Sequence, residues 1–293
     1  MAFFSGGSGP TSHTFFSQRL RLNYVDYGSA DKPLMVLVHG SRDHARNWDA
    51  VAGRLVKDFH VVAPDLRGHG DSAWAVGSPY AMSEYVLDLT QLLGHIGKTP
   101  VTLLGHSLGG AVVLNYAGVY PETVSKVAAI EGLGPPPELI NNDPVDKRMD
   151  NWIEEMQGMA SRQPRQYATI EEAAGRMLEA NPHLTKELAE HLTVHGTMRT
   201  EAGSYVWKFD NYVRAWGPQK YDYEAVTRLW SRIDCPALLV RGSESWASNP
   251  EEDGRATHFS NYSYAEVEGA AHWVHHDRFE EFMEALESFL STP

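Results

Sequence analysis

The chain has 293 residues, of which 42% are hydrophobic and 22% are charged, the composition of an ordinary globular protein. This length accommodates one large domain, or one domain that carries an insertion. The net charge of −13 argues against binding to nucleic acid or to an anionic membrane, because both require basic patches. Cys235 is the single cysteine, which excludes an intrachain disulfide and is compatible with a reducing compartment.

No segment predicts a membrane span or a secretion signal. The sequence lacks a run of about 18 apolar residues, the length that would indicate a transmembrane helix. Residues 1–10 are rich in glycine and serine, and they lack both the long apolar region and the basic start of a signal peptide. We therefore expect a cytoplasmic protein.

Strand and helix patterns alternate through the first 130 residues. The predicted strands are residues 15–18, 19–26, 34–38, 59–63, the run that begins at 101, and 124–130. The predicted helices are residues 48–55, 80–96 and the run that begins at 111. This alternation predicts a mostly parallel, doubly wound sheet that is covered by helices on both faces.

The turn at Gly105-His-Ser-Leu-Gly109 is the most informative stretch of the sequence. The pattern G-x-S-x-G lies here between a buried strand and a helix, which is the context of a nucleophile elbow. A serine in such a turn has a strained backbone, so the residues two before and two after it must be small. The pattern therefore predicts Ser107 as a nucleophile whose hydroxyl stands above the sheet edge.

Four polar side chains follow the ends of predicted parallel strands. They are His39, Asp65, Ser107 and Glu131. Ligands of open parallel sheets bind at the carboxyl ends of the strands, so these residues are expected at one site.

The pattern changes after Ile130. Residues 134–137 stop regular structure with one glycine and three prolines, and residues 138–230 predict several helices without a clear buried strand. Strand patterns return at 235–242 and 263–268, before a last amphipathic helix at about 277–290. We therefore predict a core of residues 1–134 and 231–293, interrupted by a helical cap of residues 135–230.

With these residues in place, the chain resembles the α/β-hydrolase fold superfamily over nearly its whole length. The stretches that carry the resemblance are Leu37-Val-His-Gly40, Ala63-Pro-Asp-Leu-Arg-Gly-His-Gly-Asp-Ser72, Gly105-His-Ser-Leu-Gly109, Pro236-Ala-Leu-Leu-Val-Arg-Gly242 and Gly269-Ala-Ala-His-Trp-Val-His275. Within the superfamily the chain is similar to capped serine hydrolases such as esterases and C–C bond hydrolases. The resemblance implies an α/β-hydrolase fold with an inserted helical cap.

The resemblance also implies the roles of a serine and a histidine. Ser107 matches the nucleophile, and His272, after the last predicted strand, matches the general base that removes its proton. Ala271 is a mild departure, because a glycine often precedes the family's histidine. His275 and His276 are neighbouring rivals, and a metal site built from the three histidines is not expected, since no matching cysteine or carboxylate cluster is evident.

The acid that orients the histidine has two candidate positions. Many family members carry it three residues beyond the glycine that ends the penultimate strand, but that position is Ser245 here, which is not an acid. Glu244 lies one residue from that position. Other members carry a glutamate after the strand that follows the elbow helix, where this chain has Glu131. We predict Glu131 as the acid and keep Glu244 as the alternative.

The remaining site residues follow from the same resemblance. The backbone N–H groups of Ser41 and Leu108 are expected to form the oxyanion hole. His39, Asp65, Arg67 and Asp71 are expected to be structural, and His106 to support the elbow. The predicted cap is rich in large aromatic side chains, namely Trp152, Trp207, Phe209, Tyr212, Trp216 and Trp230.

These features lead to the expectation of a serine hydrolase that acts on a small apolar or aromatic carboxylic ester. No cofactor and no metal are expected, and the sequence allows a homo-oligomer. Cleavage of a C–C bond or a lactone, or perhydrolysis, uses the same three residues and stays an alternative. So does a weakly catalytic small-molecule receptor on this fold. An aspartate nucleophile, as in epoxide hydrolases and haloalkane dehalogenases, is disfavoured because position 107 is a serine.

Overall fold

The structure is a computed structural model that describes residues 9–77, 80–215 and 217–292. Its strands are β1 (Thr11–Ser17), β2 (Leu20–Asp26), β3 (Leu34–Val38), β4 (His60–Pro64), β5 (Val101–His106), β6 (Val124–Ile130), β7 (Thr197–Arg199), β8 (Tyr205–Trp207), β9 (Ala237–Gly242) and β10 (Tyr262–Val267). All except β7 and β8 form one eight-stranded sheet, in the spatial order β1-β2-β4-β3-β5-β6-β9-β10.

Most of this sheet is parallel. The pairs β1–β2 and β2–β4 are antiparallel, and every later pair in the spatial order is parallel. Strands β3 and β4 are buried along their whole length, as their mostly apolar sequences predict. The predicted fold class, an α/β sheet with flanking helices, is confirmed.

The helices lie on both faces of the sheet. They are α1 (Asp49–Leu55), α2 (Met82–Ile96), α3 (Leu108–Val119), α4 (Val145–Ala160), α5 (Ile170–Ala180), α6 (Lys186–Gly196), α7 (Tyr223–Trp230), α8 (Val274–Asp277) and α9 (Phe279–Ser291). Side chains of α2, α3 and α7 pack into one apolar cluster with one face of the sheet, and side chains of α1, α8 and α9 pack into a second cluster with the other. The sheet therefore separates two cores.

The segment between β6 and β9 is mostly helical, as predicted. Helices α5 and α6 pack together over a small apolar cluster formed by Leu184, Ala189 and Leu192. Thr169 and Thr185 cap these two helices, because their side chains accept the N–H groups of Glu172 and Leu188. The division of the chain into core and cap at residues 134 and 230 stays a prediction.

The sequence patterns missed one element of this segment. Strands β7 and β8 form a short antiparallel hairpin outside the main sheet. Among the helices of the described residues, none combines the length and the apolar character that crossing a membrane would require.

Candidate active site

Ser107 occupies the sharp turn between β5 and α3. Its backbone has φ 51° and ψ −116°, a conformation that residues other than glycine rarely adopt. The turn is tight enough to require glycine on both sides. A Cβ on Gly105 would lie 2.2 Å from the carbonyl oxygen of Gly109, and one on Gly109 would lie 2.1 Å from that of Val38. The small residues of the sequence pattern therefore have a direct steric cause.

The hydroxyl of Ser107 stands at the N-terminus of α3. The serine is half-buried, and its own N–H donates to the carbonyl of Ile130 at the end of β6. Leu108 is the first residue of the helix, so its N–H has no acceptor within the helix. The helix end adds partial positive charge at the same place. This geometry suits a group that develops negative charge beside Ser107.

His272 lies in the loop between β10 and α8, where it is held at two points. Its Nδ1 is 2.5 Å from Oε2 of Glu131, and its carbonyl oxygen accepts a hydrogen bond from Nε2 of His106 at 2.9 Å. Because a carboxylate only accepts, Nδ1 carries a proton, and in the neutral ring Nε2 then keeps a lone pair. His106 therefore braces the histidine loop as well as the elbow.

Glu131 is a fully buried carboxylate directly after β6. Its backbone φ is 50°, so this residue also sits in the left-handed region. Oε1 accepts the N–H of Gly242, and Oε2 accepts the hydroxyl of Ser245 at 2.6 Å as well as His272 Nδ1. Its side chain is 0% exposed, and each oxygen has a donor. These hydrogen bonds hold the carboxylate in a fixed orientation.

The alternative acid lies elsewhere. The Glu244 side chain is 59% exposed, and its carboxylate lies 3.7 Å from Nε2 of His183. The structure thus brings Ser107, Glu131 and His272 to the same end of the sheet and directs Glu244 to the surface. The catalytic role of Glu131 stays a prediction, but of the two carboxylates it is the one bonded to His272.

The loop after β3 lies against the nucleophile. A Cβ on Gly40 would lie 2.8 Å from Nδ1 of His106 and 3.3 Å from Cβ of Ser107. His39 fixes this loop, because its Nε2 accepts the N–H of Leu66 and its Nδ1 donates to the carbonyl of Gly40. Burial lowers the pKa of His39 well below its usual value, so the ring stays neutral. Ser41 is the next residue of this loop, and its role as an oxyanion donor stays a prediction.

The polar residues after β4 have structural partners. Asp65 accepts the N–H groups of Ala45 and Asp71 and the side-chain amide of Asn23. Arg67 makes a bidentate ion pair with Asp88. These contacts hold the loop in place and agree with the structural roles predicted for Asp65 and Arg67.

A small cavity lies between the core and the predicted cap. It measures about 10 Å³, room for one water. Its walls are Arg42, Asp43, His44, Gly70, Met177, Gly196, Trp207, Lys208, Phe209 and Trp273. Of the aromatic residues predicted for the cap, Trp207 and Phe209 line it, whereas Trp230 is buried in the core. Trp216 lies outside the described residues.

Two site residues were missed by the sequence argument. Ser245 was set aside because it is not an acid, yet it donates its hydroxyl to the acid. Trp246 is 80% exposed, and its ring centroid lies 4.8 Å from that of His272. The position of Ser245, three residues beyond Gly242, was the signal for the first. Nothing in the sequence pattern indicated the second.

His275 and His276, the other two histidines near the last helix, contact other groups. Nε2 of His275 lies 2.8 Å from Oδ1 of Asn47, and the ring stacks on Trp48. Burial lowers the pKa of His276 to about 3. In the part of the chain that the structure describes, His272, His275 and His276 are not among the side chains grouped closely enough to hold a metal ion.

An elbow serine, a histidine bonded to a buried carboxylate, and a doubly covered parallel sheet together define a protein of the α/β-hydrolase class. The sequence pattern of the Alpha/beta hydrolase family matches residues 35–285, and the chain belongs to this family.

Known proteins resemble the chain over most of its length. Serine hydrolase-like protein 2 of Homo sapiens is 25% identical over 284 residues, which cover 90% of this chain and 88% of that protein. Esterase Rv0045c of Mycobacterium tuberculosis is 24% identical over 98% of this chain and 92% of its own length. The solved structure of the hypothetical protein PA1622 from Pseudomonas aeruginosa PAO1 superposes with a TM-score of 0.84 at 22% identity, covering 96% of this chain and 99% of that one.

Proposed function

We propose that the chain is a serine hydrolase that cleaves a carboxylic ester through an acyl-enzyme on Ser107, with His272 as the base and Glu131 as the orienting acid. The observation that carries the proposal is the 2.5 Å contact between His272 Nδ1 and the buried carboxylate of Glu131. This contact fixes the tautomer in which Nε2 can take a proton from a serine.

The proposed reaction has two halves. His272 Nε2 takes the proton of Ser107 while Oγ attacks the ester carbonyl, and the N–H groups of Leu108 and Ser41 stabilise the oxyanion. The imidazolium then protonates the departing alcohol, which leaves the acyl group on Oγ. Water attacks the acyl-enzyme with His272 again as base, and the acid is released. Glu131 stabilises the imidazolium in both halves.

We further propose a small apolar or aromatic ester as the substrate. The walls contributed by Trp207, Phe209 and Trp273 are large and mostly apolar, which suits such a group. This cavity of about 10 Å³ is too small for an ester, and none of Ser107, His272 and Glu131 lines it, so we propose that the cap side moves away from the core when substrate enters. The name of the Mycobacterium tuberculosis esterase supports this class of reaction for the chain.

Hydrolysis of p-nitrophenyl acetate, butyrate and octanoate tests the activity. We expect multiple turnovers by the wild type and a loss of about a thousandfold or more in Ser107→Ala, because the nucleophile cannot be replaced. Ser260→Ala is the matched control, since this exposed serine is remote from the elbow in the fold and should leave turnover unchanged.

Covalent labelling provides a second measurement that needs no good substrate. A fluorophosphonate should modify Ser107, identified by peptide mass spectrometry, and should not label Ser107→Ala. Ester turnover that survives in Ser107→Ala, with the fold intact by circular dichroism, would refute the assignment.

A further inference from the structure

A second cluster of potentially ligating side chains lies where α6 meets the core, apart from Ser107. Helix α6 approaches the start of α1 through two polar contacts. His44 Nε2 donates to the carbonyl of Leu192 at 2.9 Å, and His191 Nε2 lies 3.1 Å from Oδ2 of Asp49. Asp49 belongs to α1 and is buried, whereas His191 comes from the inserted segment. The cluster therefore joins two parts of the chain that are far apart in sequence.

A third donor completes the set. His195 lies four residues after His191 on α6, so the two rings share one face of the helix, and their centroids are 4.7 Å apart. One donor atom from each of Asp49, His191 and His195 lies within 4.8 Å of the other two. Two imidazoles and one carboxylate are ligands that Zn²⁺ accepts, with a fourth position left for water.

We propose that Asp49, His191 and His195 form a binding site for a divalent transition metal of the Zn²⁺ class, which fastens α6 to α1. Zinc needs ligand atoms about 3.3 Å apart around a tetrahedral ion, since its bonds are about 2.0–2.2 Å long. Ligand atoms that are at most 4.8 Å apart reach this spacing through small side-chain rotations. The helical spacing of the two histidines already gives them a common direction.

Arg46 opposes this binding and sets its strength. The guanidinium contacts both carboxylate oxygens of Asp49, with Nε at 2.7 Å from Oδ1 and Nη2 at 2.6 Å from Oδ2. A dication at Oδ2 would repel this group, so Arg46 must turn away. Its side chain is 28% exposed, which gives it a path to solvent. Oδ1 keeps the hydroxyl of Tyr27 at 2.7 Å, which would hold the ligand's orientation.

The bound metal would act as a cross-link between the two segments. Its binding free energy adds to the stability of the closed arrangement, because the ligands come together only there. Because we propose that the cap side moves away from the core when an ester enters, the metal should also slow turnover. This last consequence rests on the proposed hydrolase function, whereas binding and thermal stabilisation do not.

Titration of ZnCl₂ into tag-free, chelator-treated protein by isothermal calorimetry tests the site, with a parallel melting curve. We expect one ion per chain and a raised melting temperature in the wild type. Asp49→Asn and the double variant His191→Ala/His195→Ala should lose both effects. His183→Ala is the matched control, because His183 also faces a carboxylate, at 3.7 Å, but belongs to no group of three ligating side chains among the described residues.

Arg46→Gln distinguishes a metal site from mere structural damage, since it should strengthen binding. Removing the cation beside Asp49 is expected to lower the dissociation constant of Zn²⁺ by about tenfold. The proposal is overturned if neither the wild type nor Arg46→Gln binds zinc. It is equally overturned if zinc binds the His191→Ala/His195→Ala variant as tightly as the wild type, which would place the ion elsewhere. Zinc binding with no effect on ester turnover would refute only the coupling to catalysis.

Discussion

The carboxylate of Glu131 is held by three donors from two different parts of the chain. Gly242, whose N–H is one donor, is the last residue of β9, the Ser245 hydroxyl comes from the loop directly after it, and the His272 ring comes from the loop before α8. A glutamate with left-handed backbone is uncommon, and such strain persists only where the surrounding structure requires it. These bonds explain why an acid at the end of β6 can orient a histidine that lies 141 residues later.

Replacing either candidate acid by its amide separates their roles. We expect Glu131→Gln to lower kcat by about a thousandfold to ten-thousandfold, because the amide no longer fixes the tautomer of His272 or stabilises its charged form. Glu244→Gln should change kcat by less than about twofold, since an exposed carboxylate at 3.7 Å from His183 contributes little. Steady-state hydrolysis of a p-nitrophenyl ester measures both, and the reverse ranking would make Glu244 the acid.

A carboxylate moved to position 245 tests whether the two acid positions serve the same atom. Ser245 Oγ lies 2.6 Å from Glu131 Oε2, and it accepts the N–H of Ala247, so a donor is already present for a carboxylate. We expect the kcat of Glu131→Gln/Ser245→Asp to be at least about tenfold higher than that of Glu131→Gln. No recovery in a folded double variant would show that an acid at 245 cannot reach His272 Nδ1.

The sequence was sufficient to place the main candidate residues at one end of the sheet. Parallel strands end at the same edge, so Ser107 after β5 and Glu131 after β6 had to be neighbours. The contacts of Ser245 and Trp246 depend on the path of the loop after β9, which has no periodicity to predict it. Glu131 was preferred to Glu244 through the family resemblance, because the path of the same loop, which decides which carboxylate contacts His272, has no sequence signal.

The end of β6 and the start of α3 approach each other without side chains between them. A Cβ on Gly132 would lie 2.5 Å from Cα of Gly110, and one on Gly110 would lie 2.7 Å from Cα of Gly132. Neither backbone can move easily, because one follows Glu131 and the other follows the elbow. The pair of glycines therefore sets the distance between the strand that carries the acid and the helix that follows the nucleophile.

Gly132→Ala should disrupt this packing and destabilise the protein. An alanine in place of a glycine that has open space around it should instead stabilise the protein. We expect Gly132→Ala to lower the free energy of unfolding by about 3 kcal/mol through steric overlap with the backbone of α3. Gly175→Ala in exposed α5 should raise it by about 0.5–1 kcal/mol, because nothing lies within 4 Å and alanine favours the helix. Urea unfolding of both variants measures the difference, and similar stabilities would argue against a steric role for Gly132.

The elements that the sequence predicted well are those with one strongly apolar face. Phe282, Met283 and Leu286 of α9 are fully buried at the predicted helical spacing. The hairpin of β7 and β8 was missed because its side chains are mostly half-buried or exposed and too few to show alternation. The short helix α8 and the break before α9 at Arg278 were also missed, since four residues are too few to show a helical periodicity.

At the scale of the whole molecule, burial keeps several histidines neutral. Their pKa values are lowered by burial in every case, to about 3 for His44 and His276 and to about 4 for His69. The pKa values of three further residues lie well below the usual value, namely His39, His106 and His275. Many of these rings lie in contact, as His106 with His275 and His275 with His276, so a proton on one would also repel its neighbours.

Because these buried histidines stay neutral in the folded state, we expect the protein to lose stability in mild acid. An unfolded histidine takes up a proton below about pH 6.5, whereas the folded ring does so only near pH 3 to 4, so unfolding binds protons in that window and stability falls as the pH falls. Each such histidine lowers the free energy of unfolding by about 1.4 kcal/mol when the pH falls from 7.5 to 5.5. Asp43 has the opposite effect on stability, because burial raises its pKa to about 8. Burial raises the pKa values of Asp65 and Asp277 as well.

Six histidines outweigh these carboxyl groups, so the free energy of unfolding should be lower at pH 5.5 than at pH 7.5 by at least about 2 kcal/mol. Urea unfolding followed by tryptophan fluorescence at the two pH values measures this difference. His69→Asn provides the control, since asparagine can still donate to the carbonyl of Arg67 but does not titrate. The variant should reduce the difference between the two pH values by about 1.4 kcal/mol. Equal stability of the wild type at both pH values would mean that the buried rings gain protons without unfolding.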